Sequence, residues 1–312
     1  MVMWLIGAGK MAQDYCKVLI SLNFSFEVIG RSGKKAKEFE IITSKAVRPG
    51  GLEKALSESQ APEFAIVAVG VESLADVAIQ LIKAGSRRIL LEKPGGLNMK
   101  QIKVVNDIAY EYNANVLIAY NRRFYASTEK MRSLILEDGG PMSCNFEFTE
   151  WSHVIGPLTL DQRIKKSWFL ANSTHVVDLA FHLCGFPKDW KSWQGGMLDW
   201  HPSAARFCGA GITEKNVFFS YLADWEAPGR WGVEVLTRKH RFILRPMEKL
   251  QSINLGSVNI ENIEIDDELD KLYKPGLFMQ TKAFLDCDDH FLCSIRDQLS
   301  HIAVYDKMAT YN

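Results

Sequence analysis

The stretch "VMWLIGAGKMAQDYCKVLISL", residues 2–22, joins an apolar run to a glycine-rich turn and then to an amphipathic segment. A short, continuous apolar run predicts a strand that is buried on both faces. The residues after the turn carry apolar side chains at helical spacing. The turn "GAGKMA", residues 7–12, therefore predicts the passage from a strand into a helix, which is the first βα unit of a doubly wound sheet.

The same alternation continues through the first 120 residues. Four more apolar runs predict strands: "FEVIG" (26–30), "FAIVAVG" (64–70), "RRILLE" (87–92) and "ANVLIAY" (114–120). Amphipathic segments that predict helices lie between them, at 34–42, 72–85 and 99–113. Repeated strand and helix units predict an α/β domain with a Rossmann-type, doubly wound parallel sheet over residues 1–121.

The pattern changes after residue 121. Alternating apolar and polar residues predict strands within 141–151, 215–225, 231–245 and 251–265, and helical spacing predicts helices within 128–140, 173–185 and 276–312. We therefore expect residues 122–312 to form an α+β domain with a largely antiparallel sheet, for substrate binding and oligomerisation. The last helix is a candidate to pack back on the first domain.

Composition excludes several classes of protein. The chain has 312 residues, of which 47% are hydrophobic and 24% charged, which is ordinary for a globular protein with sizeable cores. Lys+Arg and Asp+Glu total 37 each, so no net charge favours nucleic acid or a membrane surface as a partner. The six cysteines are scattered without a C-x-x-C motif, and the apolar runs are too short to span a membrane. We expect a cytoplasmic protein with reduced cysteines.

The glycine-rich turn has the spacing of a dinucleotide site. Gly7 permits a tight turn, Gly9 lets a pyrophosphate approach the backbone, and the small Ala12 allows close packing of helix on strand. The start of a helix also favours an anion. We predict that Gly7, Gly9, Lys10 and Met11 contact a nucleotide cofactor, with a purely structural glycine turn as the alternative.

The end of the second strand bears on which dinucleotide binds. Sites that prefer NAD usually carry an acidic residue there for the ribose hydroxyls, whereas an arginine suits the 2′-phosphate of NADP. Here the sequence is "VIGRSGKKAK", residues 28–37, so Arg31 and Ser32 stand in place of an acid. We predict that NADP(H) is preferred and that NAD(H) remains possible. The alternative for these residues is a solvated loop.

Two further strand ends complete the predicted cofactor contacts. The fourth strand ends at Val69 and Gly70, and "RRILLEKPGGLN", residues 87–98, ends its apolar run on Glu92, Lys93 and Pro94. Open α/β sheets bind ligands at the carboxyl ends of their strands. We therefore predict that Lys93 points toward the nicotinamide end of the cofactor.

Four motifs together resemble one family. They are "GAGKMA" (7–12), "EKP" (92–94), "YNRRF" (120–124) and "HVVDLAFH" (175–182). The combination is similar to the glucose–fructose oxidoreductase / inositol dehydrogenase / MocA (Gfo/Idh/MocA) family over nearly the whole chain. The resemblance implies a dehydrogenase that moves a hydride between nicotinamide and a hydroxyl or carbonyl carbon of a sugar, sugar phosphate or nucleotide sugar. It also implies a homodimer or homotetramer.

The resemblance implies roles for individual residues. Lys93 would contact the nicotinamide ribose and the reacting oxygen of the substrate, and the Lys93–Pro94 bond is commonly cis in similar proteins. His182 would be the general acid or base, and Asp178, one helical turn earlier, would orient or bind the substrate. Tyr120, Arg122 and His175 are further candidates for substrate binding.

Other interpretations stay open. His175, Asp178 and His182 have the residue types of a metal site, although we predict no metal. Arg122 and the adjacent Arg123 suit either a substrate anion or ion pairs, and we expect only one of them to face the pocket. The protein could instead reduce an imine or a conjugated double bond, as biliverdin-reductase-like relatives do, or be a non-catalytic NADP-binding regulator. The retention of Lys93, Asp178 and His182 together favours an enzyme.

The sequence departs from the family pattern in two places. Many members have Thr-Pro-Asn after the fourth strand, where this chain has "AVGVESLAD" (68–76). The family's frequent Gly-Gly-Gly before the Asp-x-x-x-His helix is replaced by "FLANSTH" (169–175). The nicotinamide contacts and the choice of substrate are therefore open. Tryptophans and the loop cations Arg163, Lys165 and Lys166 in the second domain suggest a phosphorylated or nucleotide-linked sugar.

Overall fold

The computed structural model describes residues 2–311 and divides into two compact units. Within these residues one unit comprises residues 2–121 and 272–300, and the other comprises residues 122–271 and 301–311. The boundary after Asn121 falls where the sequence pattern changes. Residues 272–300 belong to the first unit, although they lie in the part of the sequence that we assigned to the second domain.

Both units mix strands and helices. Within residues 2–311 the strands are β1 (Met3–Ile6), β2 (Phe26–Gly30), β3 (Val47–Pro49), β4 (Phe64–Val67), β5 (Arg88–Glu92), β6 (Asn115–Ala119), β7 (Ser143–Glu147), β8 (Pro187–Gly195), β9 (Arg206–Thr213), β10 (Phe218–Asp224), β11 (Gly232–Leu236), β12 (His240–Leu244), β13 (Gln251–Asn254), β14 (Glu261–Asn262) and β15 (Cys293–Ser294). The α-helices are α1 (Lys10–Ser21), α2 (Gly33–Thr43), α3 (Gly51–Glu58), α4 (Leu74–Lys83), α5 (Met99–Glu111), α6 (Ala126–Glu137), α7 (Ser152–Ile155), α8 (Gln162–Lys166), α9 (Thr174–Cys184), α10 (Glu268–Leu272), α11 (Leu277–Leu285) and α12 (Ile295–Ala309). Short 3₁₀ turns at Val71–Ser73 and Asn121–Phe124 and a π-helical turn at Phe169–Ser173 complete them.

The first unit contains a seven-stranded sheet in the order β15-β6-β5-β4-β1-β2-β3. All neighbouring strands are parallel except β15, which runs antiparallel to β6. The strand order reverses between β1 and β4, and the carboxyl ends of strands at such a point form the ligand crevice of open α/β sheets. The predicted fold class is confirmed.

Gly7 shows why the chain turns where it does. Its φ of +125° is a conformation that L side chains rarely adopt. A Cβ at this position would lie 2.3 Å from the carbonyl oxygen of Ala68, so the close approach of the two backbones requires glycine. The turn delivers the chain directly into α1, whose residues Ala12 and Tyr15 are fully buried.

The second unit contains an eight-stranded sheet in the order β14-β13-β12-β11-β7-β10-β9-β8. Neighbours are antiparallel except for the parallel pair β7 and β10, as predicted for a largely antiparallel sheet. Helix α9 covers one face, where the ring centroids of Phe146 and Phe181 lie 5.3 Å apart. The other face of β10 exposes Phe218 and Leu222.

Across residues 2–311, no helix combines the length and the apolar character needed to cross a membrane.

Candidate active site

A cavity of about 450 Å³ opens in the first unit at the carboxyl ends of β1, β2 and β4. Eight of the predicted cofactor contacts line it: Gly7, Gly9, Lys10, Met11, Arg31, Ser32, Val69 and Gly70. The other three, Glu92, Lys93 and Pro94, do not line this cavity. They lie at the end of β5, the neighbour of β4 in the sheet. The eight predicted residues that line the cavity therefore come from three separate βα connections.

The glycine-rich end of the cavity fits a pyrophosphate. Gly9 precedes the first residue of α1, and no side chain caps the N–H groups at the start of this helix. A Cβ added to Gly9 would meet nothing within 4 Å. Free backbone donors and open space at a helix start are what a dinucleotide phosphate needs. The residues present therefore fit a dinucleotide cofactor.

The other end of the cavity is basic. Arg31, Ser32 and Lys35 line it beyond the end of β2, and Gly51 and Leu52 line it from the start of α3. Gly51 and Leu52 were not predicted. A Cβ added to Gly51 would lie 3.8 Å from the Cγ atom of Arg31, so the start of α3 adjoins the Arg31 side chain. The signal was the turn "PGG" at 49–51, which ends a strand of only three residues.

Glu72 occupies the region where the family's Thr-Pro-Asn is absent. It lies in the 3₁₀ turn after β4, and its carboxylate covers Gly70, because a Cβ on Gly70 would overlap the carboxylate oxygens. Among the described residues that line the cavity, Glu72 is the one acidic group. Glu72 and Arg31 lie apart along the sheet edge, because Glu72 follows β4 and Arg31 follows β2, the strands on either side of β1.

The Glu-Lys-Pro segment is held by buried polar groups. The Lys93–Pro94 bond is cis, as the resemblance implies, and Lys93 is half-buried. The Tyr15 hydroxyl donates a 2.8 Å hydrogen bond to Glu92. Burial raises the pKa of Glu92, against the opposing effects of the Tyr15 hydrogen bond and the charges of Lys93 and Lys274. Burial is the dominant influence on the pKa of the carboxyl next to Lys93.

Tyr120 takes part in the same support. The Gln298 amide donates to the Pro94 carbonyl oxygen at 3.0 Å and to the Tyr120 hydroxyl at 3.1 Å. Tyr120 is fully buried in the structure. Gln298 could not be expected here from the sequence, because the contact joins positions more than 170 residues apart. Substrate binding by Tyr120 stays a prediction.

Helix α9 of the second unit carries His175, Asp178 and His182. His175 and Asp178 are buried and His182 is half-buried. Arg123 donates to both carboxylate oxygens of Asp178, at 2.7 and 2.6 Å, and the Tyr305 hydroxyl lies 3.5 Å from Oδ1. The Asp178 carboxylate is therefore held by the protein itself, and its predicted contact with substrate stays a prediction.

A second cavity, of about 300 Å³, lies in the second unit beside the start of α9. Its walls include Trp151, Trp168 and Trp231, and Arg122 lines it while Arg123 does not. The ring centroids of His175 and Trp231 are 6.3 Å apart, so the cavity adjoins α9.

The loop cations lie elsewhere than we expected. Arg163 pairs with Asp161 at 2.6 Å. Lys165 is buried, and its Nζ donates to the Gly156 carbonyl oxygen at 2.7 Å. Neither residue lines the second cavity, so their proposed contact with a substrate phosphate has no support from its geometry.

Residues 2–120 match the model of the Gfo/Idh/MocA family, described as an oxidoreductase family with an NAD-binding Rossmann fold. Residues 2–120 are thus similar to the NAD-binding domain of this oxidoreductase family. The match covers two of the four motifs, "GAGKMA" and "EKP", and confirms the predicted family resemblance for this part of the chain.

Solved structures extend the similarity of fold to the whole chain. UDP-N-acetylglucosamine 3-dehydrogenase from Acidithiobacillus ferrooxidans is 15% identical with a TM-score of 0.77, over 100% of this chain and 97% of that one. Levoglucosan dehydrogenase in complex with NADH and levoglucosan is 16% identical with a TM-score of 0.80, over 100% of this chain and 96% of that one. At these identities the similarity establishes a shared fold.

A curated relative matches part of the chain. The redox-sensing transcriptional repressor Rex of Carboxydothermus hydrogenoformans is 29% identical over 128 residues, which are 39% of this chain and 59% of the repressor. The chain thus spans less than two thirds of that protein.

Proposed function

We propose that the protein is an oxidoreductase that prefers NADP(H) and transfers a hydride between nicotinamide and a hydroxyl or carbonyl carbon of a sugar-like substrate. One observation carries the proposal. Lys93 follows β5 at the same sheet edge as the glycine-rich cavity, in a domain of an NAD-binding oxidoreductase family. Two structural neighbours are named as dehydrogenases of sugars or sugar derivatives, which supports this substrate class.

The chain's own groups bind and orient the cofactor. The free N–H groups at the start of α1 bind the pyrophosphate, and Gly9 allows its approach. Arg31 and Ser32 bind the 2′-phosphate through charge-assisted hydrogen bonds. NADP(H), when bound, supplies or accepts the hydride.

Proton transfer falls to side chains. Lys93 orients the reacting oxygen of the substrate, and His182 gives or takes its proton. Asp178 acts through Arg123, because their ion pair fixes the helix that carries His182. This division gives Lys93 and His182 the catalytic roles and gives Asp178 a positioning role.

A substrate panel tests the proposal. The absorbance of reduced nicotinamide is followed with NADPH and with NADP⁺ against aldoses, ketoses, sugar acids and sugar phosphates. We expect turnover with at least one of them. A folded protein that binds NADPH and turns over none of these compounds would contradict the proposal.

The similarity to a redox-sensing repressor favours one other candidate, a regulator that binds the dinucleotide without turnover. Such a protein has no need of an acid or base, so His182→Ala would leave every measurable property but local stability unchanged. The panel separates the two, since only the enzyme consumes NADPH.

We also propose that the protein forms a homo-oligomer through the outer face of the second sheet. Phe218 and Leu222 are 67% and 61% exposed on this face of β10. Phe218 and Leu222 lie two pleats apart on the same face of the strand, and apolar residues that are exposed together mark interaction surfaces more often than isolated ones do. Light scattering on the wild type and on a Phe218→Ser, Leu222→Ser variant tests it, and an unchanged mass would contradict it.

A further inference from the structure

Arg122 is a largely buried cation that lacks a counter-ion. Across residues 2–311 it forms no ion pair, and its Nε is buried without a hydrogen-bond partner. Burial lowers the pKa of its guanidinium, but arginine stays charged in proteins. A buried charge without a partner is costly to stability. Such a group is expected where a ligand supplies the missing acceptor.

The neighbouring carboxylates do not fill this role. Glu150 accepts hydrogen bonds from Asn172 at 3.0 and 3.1 Å and from the Ser173 hydroxyl at 2.7 Å. Glu248 lines the same cavity but is exposed. Both carboxylates lie near enough to oppose the effect of burial on the pKa of Arg122, but neither reverses it. The terminal nitrogens of Arg122 are therefore left for a ligand.

Aromatic rings fix the direction of the guanidinium. Its carbon lies 4.7 Å from the ring centroid of Trp231 and 5.7 Å from that of Tyr125. A guanidinium stacked on aromatic rings is preorganised to present its fork of donors to a carboxylate or phosphate. The Nε1 of Trp168, also in the cavity wall, is a second buried donor without a partner.

The remaining walls suit a sugar ring. Trp151, Trp168 and Trp231 offer flat apolar faces, against which the C–H face of a sugar packs well. The volume of about 300 Å³ is at the lower end of the range of roughly 300–1,000 Å³ for ligand cavities, so one sugar ring fits better than a nucleotide sugar. The contact between Trp231 and His175 places this cavity next to the helix that carries His182.

We propose that the substrate is a monosaccharide-sized molecule with a carboxylate or phosphate group, and that Arg122 binds this group in the tryptophan-lined cavity. The inference rests on the proposed function, because it names the substrate class of that reaction. The shared chemistry is an anionic group with two or more acceptor oxygens on a sugar.

Direct binding tests it without turnover. Tryptophan fluorescence is titrated with glucuronate, with its uncharged analogue glucuronamide, with glucose 6-phosphate and with glucose. We expect at least one anionic probe to bind about 10- to 100-fold more tightly than its neutral counterpart, the effect of a charge-assisted pair away from water. The two anionic probes distinguish a sugar acid from a sugar phosphate.

Variants assign the preference to Arg122. Arg122→Met should abolish it, and Arg122→Lys, which keeps the charge but not the fork, should retain part of it. If Arg122→Met does not fold, the lysine variant carries the test. Arg241→Met, which removes an exposed arginine paired with Glu234 on the second sheet, is the control and should change nothing.

Three results would overturn the inference: equal affinities for charged and neutral probes, binding of none of the probes, or a preference that survives in Arg122→Met. The proposed function fails separately. Anion binding that depends on Arg122 without any NADPH turnover would contradict the enzyme and keep the cavity assignment. Turnover of neutral sugars that is unaffected by Arg122→Met would contradict the cavity assignment and support the proposed enzyme.

Discussion

Arg123 and Asp178 form a bidentate ion pair, with Nε 2.7 Å from Oδ2 and Nη2 2.6 Å from Oδ1. Their side chains are 7% and 1% exposed. The pair joins two of the motifs that carry the family resemblance, "YNRRF" and "HVVDLAFH". Both carboxylate oxygens of Asp178 are therefore already hydrogen-bonded within the protein.

Asp178→Asn should be strongly destabilising. It removes the carboxylate charge that pairs with the buried guanidinium of Arg123, and breaking a buried ion pair in this way costs about 3–5 kcal/mol. Replacing both residues by apolar ones, Arg123→Met with Asp178→Leu, should cost less. Urea unfolding of the single and double variants measures this. Unchanged stability of Asp178→Asn combined with lost turnover would instead place Asp178 on the substrate.

Gly7 and Gly9 should respond differently to alanine. Gly7→Ala introduces a Cβ that collides with the Ala68 carbonyl oxygen at a positive φ, so we expect a loss of at least about 2 kcal/mol in the free energy of unfolding. Gly9→Ala meets no protein atom and should melt like the wild type. Its methyl group fills the path of the pyrophosphate, so NADPH should bind at least about 10-fold more weakly. Equal NADPH affinity of Gly9→Ala and the wild type would contradict the assignment of the pyrophosphate site to this turn.

Arg31 should set the choice of cofactor. We expect NADPH to bind about 10- to 100-fold more tightly than NADH, which is what one or two charge-assisted hydrogen bonds supply. Arg31→Asp should reverse the preference, whereas Lys37→Asp, an exposed lysine of α2 that does not line the cavity, should not. Calorimetry with both nucleotides measures this. Equal affinities in the wild-type protein would contradict the NADP assignment.

The sequence predicted the elements that follow a local pattern. Five strands of the first sheet were found because each is a continuous apolar run, but β3 has three residues and β15 two, which is too short for any periodicity. In the second sheet β8 and β9 were missed. The first places mostly exposed polar residues between its tryptophans, and the second is rich in small residues, so neither reads as a strand.

The candidate site also contains residues that the sequence predicts and residues that it does not. The glycine-rich turn and Arg31 each follow directly after a strand, so their position along the chain was enough to predict that they line the cofactor cavity. The pairing of Arg123 with Asp178, and the meeting of Arg122 with Trp231, join residues 55 or more positions apart and depend on tertiary packing. Nothing in the sequence ranks Trp231 above the other tryptophans of the second domain.

Two histidines of the second unit should make the protein sensitive to acid. Burial lowers the pKa of His201 to about 4 and that of His301 to about 3, whereas an unfolded histidine titrates near 6.5. The unfolded chain therefore binds protons that the folded chain does not, and each histidine lowers the free energy of unfolding by about 1.4 kcal/mol per pH unit below about pH 6.5. Asp306, whose pKa burial raises to about 6, acts in the opposite sense and offsets one histidine between about pH 6 and pH 4.

Urea unfolding between about pH 7 and pH 4.5 measures the net slope, which we expect to be a loss of stability on acidification. His201 is fully buried between the Ala204 carbonyl oxygen and the Tyr311 hydroxyl, at 2.7 and 2.6 Å. His201→Gln should reduce the slope by the share of one histidine, although the variant is less stable at neutral pH. His290→Gln, at an exposed position, is the control. A slope that is identical in all three proteins would contradict the assignment to His201.

Lys93 and His182 should each be needed for turnover. Loss of a group that orients the reacting oxygen or moves its proton lowers the rate by about 10²- to 10⁴-fold, so we expect this for Lys93→Ala and for His182→Ala. NADPH affinity should stay within several-fold, because neither residue lines the cavity that we assign to the cofactor. The two losses should combine to less than their product, since groups that serve one proton transfer cannot each be lost in full. Lys100→Ala, an exposed lysine at the start of α5, is the control for Lys93.

The competing explanation for Lys93 is a structural one. The charge of Lys93 stabilises the ionised form of the neighbouring Glu92, whose carboxyl also accepts a hydrogen bond from the Tyr15 hydroxyl. If this were its whole function, Lys93→Ala would lower the melting temperature and raise the pKa of Glu92 further, while the folded fraction kept full turnover. Turnover and melting temperature are therefore measured on the same preparation. A destabilised but fully active Lys93→Ala enzyme would end the catalytic assignment, and a stable, inactive one that still binds NADPH would establish it.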